Sequence, residues 1–141
     1  MPLVADAFEA VVAALARRDL TAAELEQRLV DAGFDAEACA GALERASAAG
    51  YLDDHRVAVE RVRRLAERDA SDAAIRVDLR RRGVTDEGIE AALAAIPPEL
   101  ERAERLASRF GGGARAARAL ERKGYPQDVV KRAVRPSIAE W

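Results

Sequence analysis

Two successive aspartates followed by a histidine, Asp53, Asp54 and His55, are the residues here that most resemble acid–base machinery. Paired carboxylates can share a proton or hold a cation, and a histidine titrates near neutral pH. Catalysis would need partners for them. His55 is the only histidine and Cys39 the only cysteine, and Cys39 falls on a core-facing helical position. A folded monomer therefore has no Cys–His pair and no His/Cys metal cluster. Capping of a helix start accounts for Asp53 and Asp54 with fewer assumptions. The run FGGGAR, Phe110 to Arg115, lacks the Gly-Lys-Ser/Thr ending of a phosphate loop and reads as a turn or weak cap. The expectation is a protein with no catalytic residue, no metal site and no cofactor.

The remaining chemistry is that of arginine. Three clusters stand out: Arg61, Arg63, Arg64 and Arg68; Arg76, Arg80, Arg81 and Arg82; and Arg115, Arg118, Arg122 and Lys123. Any one arginine has an ordinary reading as part of a solvated helix face. As a set they favour an acidic or polyanionic partner. Arg76 and Arg80 are one helical turn apart, as are Arg115, Arg118 and Arg122, so each group shares a face. The candidate partner-binding residues are Arg61, Arg64, Arg76, Arg80, Arg81, Arg82, Arg115, Arg118, Arg122 and Lys123. Overall charge does not suggest a protein that simply coats nucleic acid, because 23 Lys+Arg face 25 Asp+Glu, a net −2. Its distribution is uneven: residues 1–55 carry −7, residues 56–100 balance, and residues 101–141 carry +5.

The elements that must display these charges form a repeat. Gly33, Gly83 and Gly124 each end an amphipathic stretch and precede a hydrophobic residue, in RLVDAGF, DLRRRGV and ALERKGY. Alignment on the glycines matches Leu25, Ile75 and Ala116, then Leu29, Leu79 and Leu120, and after the turn Phe34, Val84 and Tyr125. Spacings of four within each stretch place the apolar residues on one helical face. Each copy reads as three helices, giving an all-α fold of three tandem three-helix repeats in an elongated, curved arrangement. The expected domains are residues 1–50, 51–97 and 98–141. Thr21 with Glu24 spells a capping box, Ser71 and Thr85 are good caps, and the glycines suit a left-handed residue closing each middle helix.

Two joins link the copies. In AGYLDD, Gly50 is expected to stop a helix, Tyr51 and Leu52 to bury across the join, and Asp53 or Asp54 to cap a helix running to about Asp69. In IPPEL, Pro97 and Pro98 break one helix and start the next. Structural roles are thus expected for Gly33, Gly50, Tyr51, Leu52, Asp53, Asp54, Gly83 and Gly124.

Half of the 141 residues are hydrophobic but aromatics are only 4%, so packing must rest on many small contacts. The single cysteine suits a reducing compartment, no apolar run approaches the roughly 20 residues of a membrane span, and the acidic start differs from an export signal. The expected location is the cytoplasm.

Four stretches, ALARRDLTAAELEQRLVDAGF (Ala14 to Phe34), LERASAAGYLDDHRVA (Leu43 to Ala58), IRVDLRRRGV (Ile75 to Val84) and ALERKGYPQDVVKRAV (Ala119 to Val134), resemble the bacterial RecX family in the family's order. GYLDD followed by Arg56 and Ala58 is the most specific piece. Val57 replaces a usual aromatic, and AERDASDAAI replaces a glycine-containing turn. The resemblance implies a monomeric, non-enzymatic regulator that binds the RecA recombinase filament on DNA and inhibits its ATPase and strand exchange, restraining recombination, DNA repair and the SOS response. The alternative is a helix-turn-helix-like module with weak, sequence-independent affinity for single- or double-stranded DNA. Specific reading of DNA is disfavoured because the third helices DAEACAGALERA and DEGIEAALAAI begin with acids.

Overall fold

The structure, a computed structural model, describes residues 4–134; Trp141 lies outside them. Nine helices and no strand occur among the described residues: α1 (Val4–Arg17), α2 (Ala22–Asp31), α3 (Ala36–Ala48), α4 (Asp54–Glu67), α5 (Asp72–Arg81), α6 (Asp86–Leu93), α7 (Glu99–Arg109), α8 (Gly113–Arg122) and α9 (Gln127–Val134). The all-α fold read from the sequence is therefore present, with three helices in each of the three glycine-marked copies.

Local signals explain where these helices begin. Thr21 forms a reciprocal capping box: Glu24 N donates to Thr21 Oγ1 at 3.1 Å, and Thr21 N donates to Glu24 Oε1 at 3.0 Å. Asp35 caps α3 through Ala38 N at 2.8 Å, Ser71 caps α5 through Ala74 N at 3.1 Å, and Thr85 caps α6 through Gly88 N at 3.1 Å. α8 starts differently. Gly111, Gly112 and Gly113 all have positive φ, and Gly112 holds the cap position with no side chain to accept a bond.

The middle helices end as their glycines require. Gly33, Gly83 and Gly124 have φ of 96°, 81° and 91°, in the left-handed region where a Cβ is strained. Gly50, at φ 81°, ends α3 in the same way. α4 stops at Glu67, two residues short of the sequence expectation, because Asp69 adopts a φ of 65°. Asp69 thus performs the turn usually made by glycine, in a conformation that aspartate tolerates better than most side chains.

The described residues divide into two compact units: one contains the residues up to Ala58 with Leu79–Ile89, the other Val59–Asp78 with Glu90 onward. In the first, Val11, Leu20, Leu25, Leu29, Cys39 and Leu52 belong to one buried cluster, with Phe8, Phe34 and Leu43 packed against it. Alanines Ala7, Ala42 and Ala46, each 0% exposed, let the α1 and α3 backbones approach closely. In the second, Leu106, Ala116, Leu120, Tyr125 and Val130 form the corresponding cluster, with Phe110 and Val134 at its edge. Val57 is buried as well.

One expectation fails. Leu52 is buried as read, but Tyr51 remains 51% exposed. Its ring lies 6.3 Å from Phe8, whose other neighbour is the Arg45 guanidinium, 4.1 Å from the ring centroid. The amides of both residues close the α3 turn on Ala46 O, at 2.9 and 3.2 Å, and it is Leu52 that enters the α1–α3 cluster.

Candidate partner-binding surface

The first join seats one glycine turn on the start of an earlier helix. Thr21 Oγ1 donates to Arg82 O, Arg82 Nη1 lies 3.6 Å from Glu24 Oε2, and a Cβ on Gly83 would sit 2.2 Å from Ala23 Cβ. The two aspartates divide the remaining work. Asp53 caps its own helix through Arg56 N at 3.1 Å, whereas Asp54 Oδ1 reaches back to accept Ala22 N, the first amide of α2, at 2.8 Å. A carboxylate at a helix start is favoured both by the free amide and by the helix dipole.

The second join repeats this arrangement with different residues. Glu99 Oε2, at the start of α7, accepts Asp72 N, the first amide of α5, at 2.7 Å. A Cβ on Gly124 would lie 2.9 Å from Ser71 Oγ, Lys123 Nζ donates to Arg68 O at 3.1 Å, and Tyr125 Oη donates to Ala70 O at 3.4 Å. Burial pushes the Tyr125 phenol above its ordinary pKa, with Arg102 opposing.

Arg102, which sequence reasoning did not single out, fastens this join. Its buried guanidinium donates to Pro97 O at 3.0 Å, Ala70 O at 3.3 Å and Asp72 Oδ1 at 2.6 Å, while its Nε has no partner among the described residues. Counted from the start of each repeat's first helix, Arg102 stands where the first join has buried Val57. Nearby, Arg109 pairs with the left-handed Asp69, which holds the arginine pKa above its usual value.

The candidate partner-binding residues separate into two kinds. Some are engaged within the fold: Arg61 binds Asp78 through Nε and Nη2 at 2.9 and 2.8 Å, and Arg76 binds Glu90 at 2.9 and 3.4 Å, which raises the Arg76 pKa. Arg80 reaches Asp86 at 3.2 Å, and Arg82 and Lys123 serve the two glycine turns. Arg64, Arg81, Arg115, Arg118 and Arg122 are exposed. Their freedom to meet a partner costs no internal contact.

The enzyme candidates have structural surroundings. Asp53 and Asp54 are helix-start acceptors, and Cys39 is buried with its Sγ 3.7 Å from Phe34 O. Burial, followed by the charges of Glu26 and Asp35, raises the Cys39 pKa and keeps it a thiol. Among the described residues, no group of three or more His, Cys, Asp or Glu could hold a metal ion, and no helix is long and apolar enough to cross a membrane.

The fold defines a tandem three-helix-repeat protein. Residues 7–45 match the family described as RecX, first three-helix domain. The regulatory protein RecX of Trichlorobacter lovleyi is 35% identical over 142 residues, covering 89% of this chain and 92% of the relative. That of Halorhodospira halophila is 34% identical over 135 residues, covering 89% and 84%. The crystal structure of RecX from Lactobacillus salivarius superposes with a TM-score of 0.78 at 20% identity, covering 93% of this chain and 94% of that one. The chain belongs to the RecX family of regulatory proteins.

Proposed function

We propose that this RecX-family protein binds the RecA nucleoprotein filament in the cytoplasm and inhibits recombinase activity, both ATPase and strand exchange, thereby modulating recombination, repair and the SOS response. The observation that carries the reading is family membership over 89% of the chain, at 92% of the relative's length. A set of exposed arginines makes it physically reasonable. Arg64, Arg81, Arg115, Arg118 and Arg122 are exposed, and several weak charge contacts made by one chain raise avidity without a single strong site. In this proposal residues 1–50, 51–97 and 98–141 are the repeating units, the protein is a monomer, and neither catalysis nor a cofactor is involved.

A second reading, a module with weak sequence-independent DNA affinity, is favoured by α9, which has two cations in its last turn, Lys131 and Arg132, against one in α3 and none in α6. The test is binding to single-stranded DNA with and without RecA at two salt concentrations, together with RecA ATPase. Binding that tightens markedly when RecA is present, with lowered ATPase, supports the filament reading. Equal binding without RecA, and unaltered ATPase, would replace it with the DNA module.

A further inference from the structure

A crevice of about 410 Å³ lies in the first unit, where the glycine turn after α5 meets the start of α2. Five arginines line it, Arg18, Arg28, Arg80, Arg81 and Arg82, against a single carboxylate, Glu24. Glu24 is already committed, to the Thr21 amide and to Arg82, and Arg80 leans on Asp86. Arg18, Arg28 and Arg81 are exposed and form no ion pair among the described residues. The concentration is unusual for its surroundings: residues 1–55 carry only four basic side chains, and two of them, Arg18 and Arg28, are at this crevice.

The fold does not demand the charge. Transferred by the glycine alignment to the second join, the five positions become Arg68, Asp78, Glu121, Arg122 and Lys123. That join seats the same kind of glycine turn on the same kind of helix start, with acids at two of the five places. Five arginines are thus an addition to the architecture. The density of free cations calls for a ligand bearing several anions at short spacing, which a nucleic-acid backbone supplies and scattered surface carboxylates do not. Guanidinium forks match phosphate oxygens, and the lining holds no aromatic ring on which a base would stack.

We propose that this crevice holds the phosphodiester backbone of single-stranded nucleic acid, with Arg18, Arg28 and Arg81 on phosphates and Arg80 and Arg82 forming the walls. It deepens the proposed function by naming where the DNA of a nucleoprotein filament would be held, and in that respect rests on it. Recognition is of charge, so base sequence has little influence.

The test is fluorescence anisotropy of a labelled oligothymidylate with the full chain, no recombinase present, across a salt series. The triple variant Arg18→Gln/Arg28→Gln/Arg81→Gln is compared with Arg45→Gln/Arg56→Gln/Arg105→Gln, which makes the same charge change at arginines that neither line the crevice nor belong to α9. Circular dichroism establishes that both fold. The crevice variant is expected to bind at least about 10-fold more weakly at low salt, with the slope of log K against log salt shallower by about 2, as for three lost single-strand phosphate contacts. The control should stay within about twofold of wild type. Equal losses in both variants, an unchanged crevice variant, or displacement by polyglutamate as effective as by unlabelled oligonucleotide would each overturn the proposal. Because RecA is absent, those results leave the filament reading intact; that reading fails separately if wild-type protein does not lower RecA ATPase.

Discussion

Glycines that look equivalent in sequence are not equivalent in the structure. All three repeat glycines have positive φ, but a Cβ on Gly33 would meet nothing within 4 Å, whereas one on Gly83 would lie 2.2 Å from Ala23 Cβ. Gly33→Ala should therefore cost only backbone strain, about 1–2 kcal/mol. Gly83→Ala adds overpacking of about 1–3 kcal/mol and should be clearly worse in urea denaturation. Equal midpoints would mean that the approach of Ala23 relaxes freely. At the second join, removing Arg102 strands Asp72, so Arg102→Ala should lose about 3 kcal/mol and Arg102→Met distinctly less, since its apolar stem can fill the same space. Tyr125 adds a pH dependence. Its folded pKa is raised, so the neutral phenol is the form that the fold favours. Its contribution is intact below the unfolded value of about 10 and is lost as pH rises through the folded value. The stability difference between wild type and Tyr125→Phe should be constant at neutral pH and fall as pH rises above about 10, and a difference that stays constant there would contradict the burial argument.

At the scale of elements, what the sequence made legible was whatever depends on near neighbours. The capping box at Thr21 and Glu24, the caps at Ser71 and Thr85, and the positive φ of Gly33, Gly83 and Gly124 are all set within a few residues. What stayed hidden depends on partners far along the chain. Asp54 accepts an amide 32 residues away, and Arg102 reaches carbonyl and carboxylate oxygens 32 and 30 residues away. Nothing local separates Asp53 from Asp54, or marks Arg102 among the other arginines. The candidate surface was legible only in part for the same reason: Arg61 and Arg76 are spent on Asp78 and Glu90, while Arg18 and Arg28 acquire a site only when the 80–83 turn arrives beside them. The division of labour between the two aspartates can be checked. Asp53→Ala removes one cap from α4 and should cost about 1 kcal/mol. Asp54→Ala instead unpartners the first amide of α2, so hydrogen exchange should quicken at Ala22 in that variant and not in Asp53→Ala; the reverse pattern would refute the assignment.

Over the whole molecule, the stabilising contacts do not respect the ends of the repeats. The first unit draws on Leu79–Ile89 as well as the residues up to Ala58, and the second takes Val59–Asp78 together with Glu90 onward. A fragment of residues 1–50 keeps the buried cluster of α1 to α3 except Leu52, but loses the Asp54 carboxylate on Ala22 and the Arg82 and Gly83 contacts on α2. A fragment of residues 98–141 retains α7, α8 and α9 but separates Arg102 and Tyr125 from Ala70, leaving a buried guanidinium with Pro97, Ala70 and Asp72 all gone. Units this small have too little apolar surface to bury to hold together readily alone, and in repeat proteins the contacts between neighbours supply the missing stability. Residues 1–97 keep the first unit entire and should unfold cooperatively, with Val59–Asp78 less protected than in the intact chain because Glu99, Arg102 and Tyr125 are gone. Residues 98–141 should show low helicity and no sharp transition, and residues 1–50 should melt well below 1–97. If instead residues 98–141 melt as sharply and at as high a temperature as the intact chain, each repeat is a self-sufficient bundle, and the long-range bonds of Asp54, Glu99 and Arg102 contribute little to holding the molecule together.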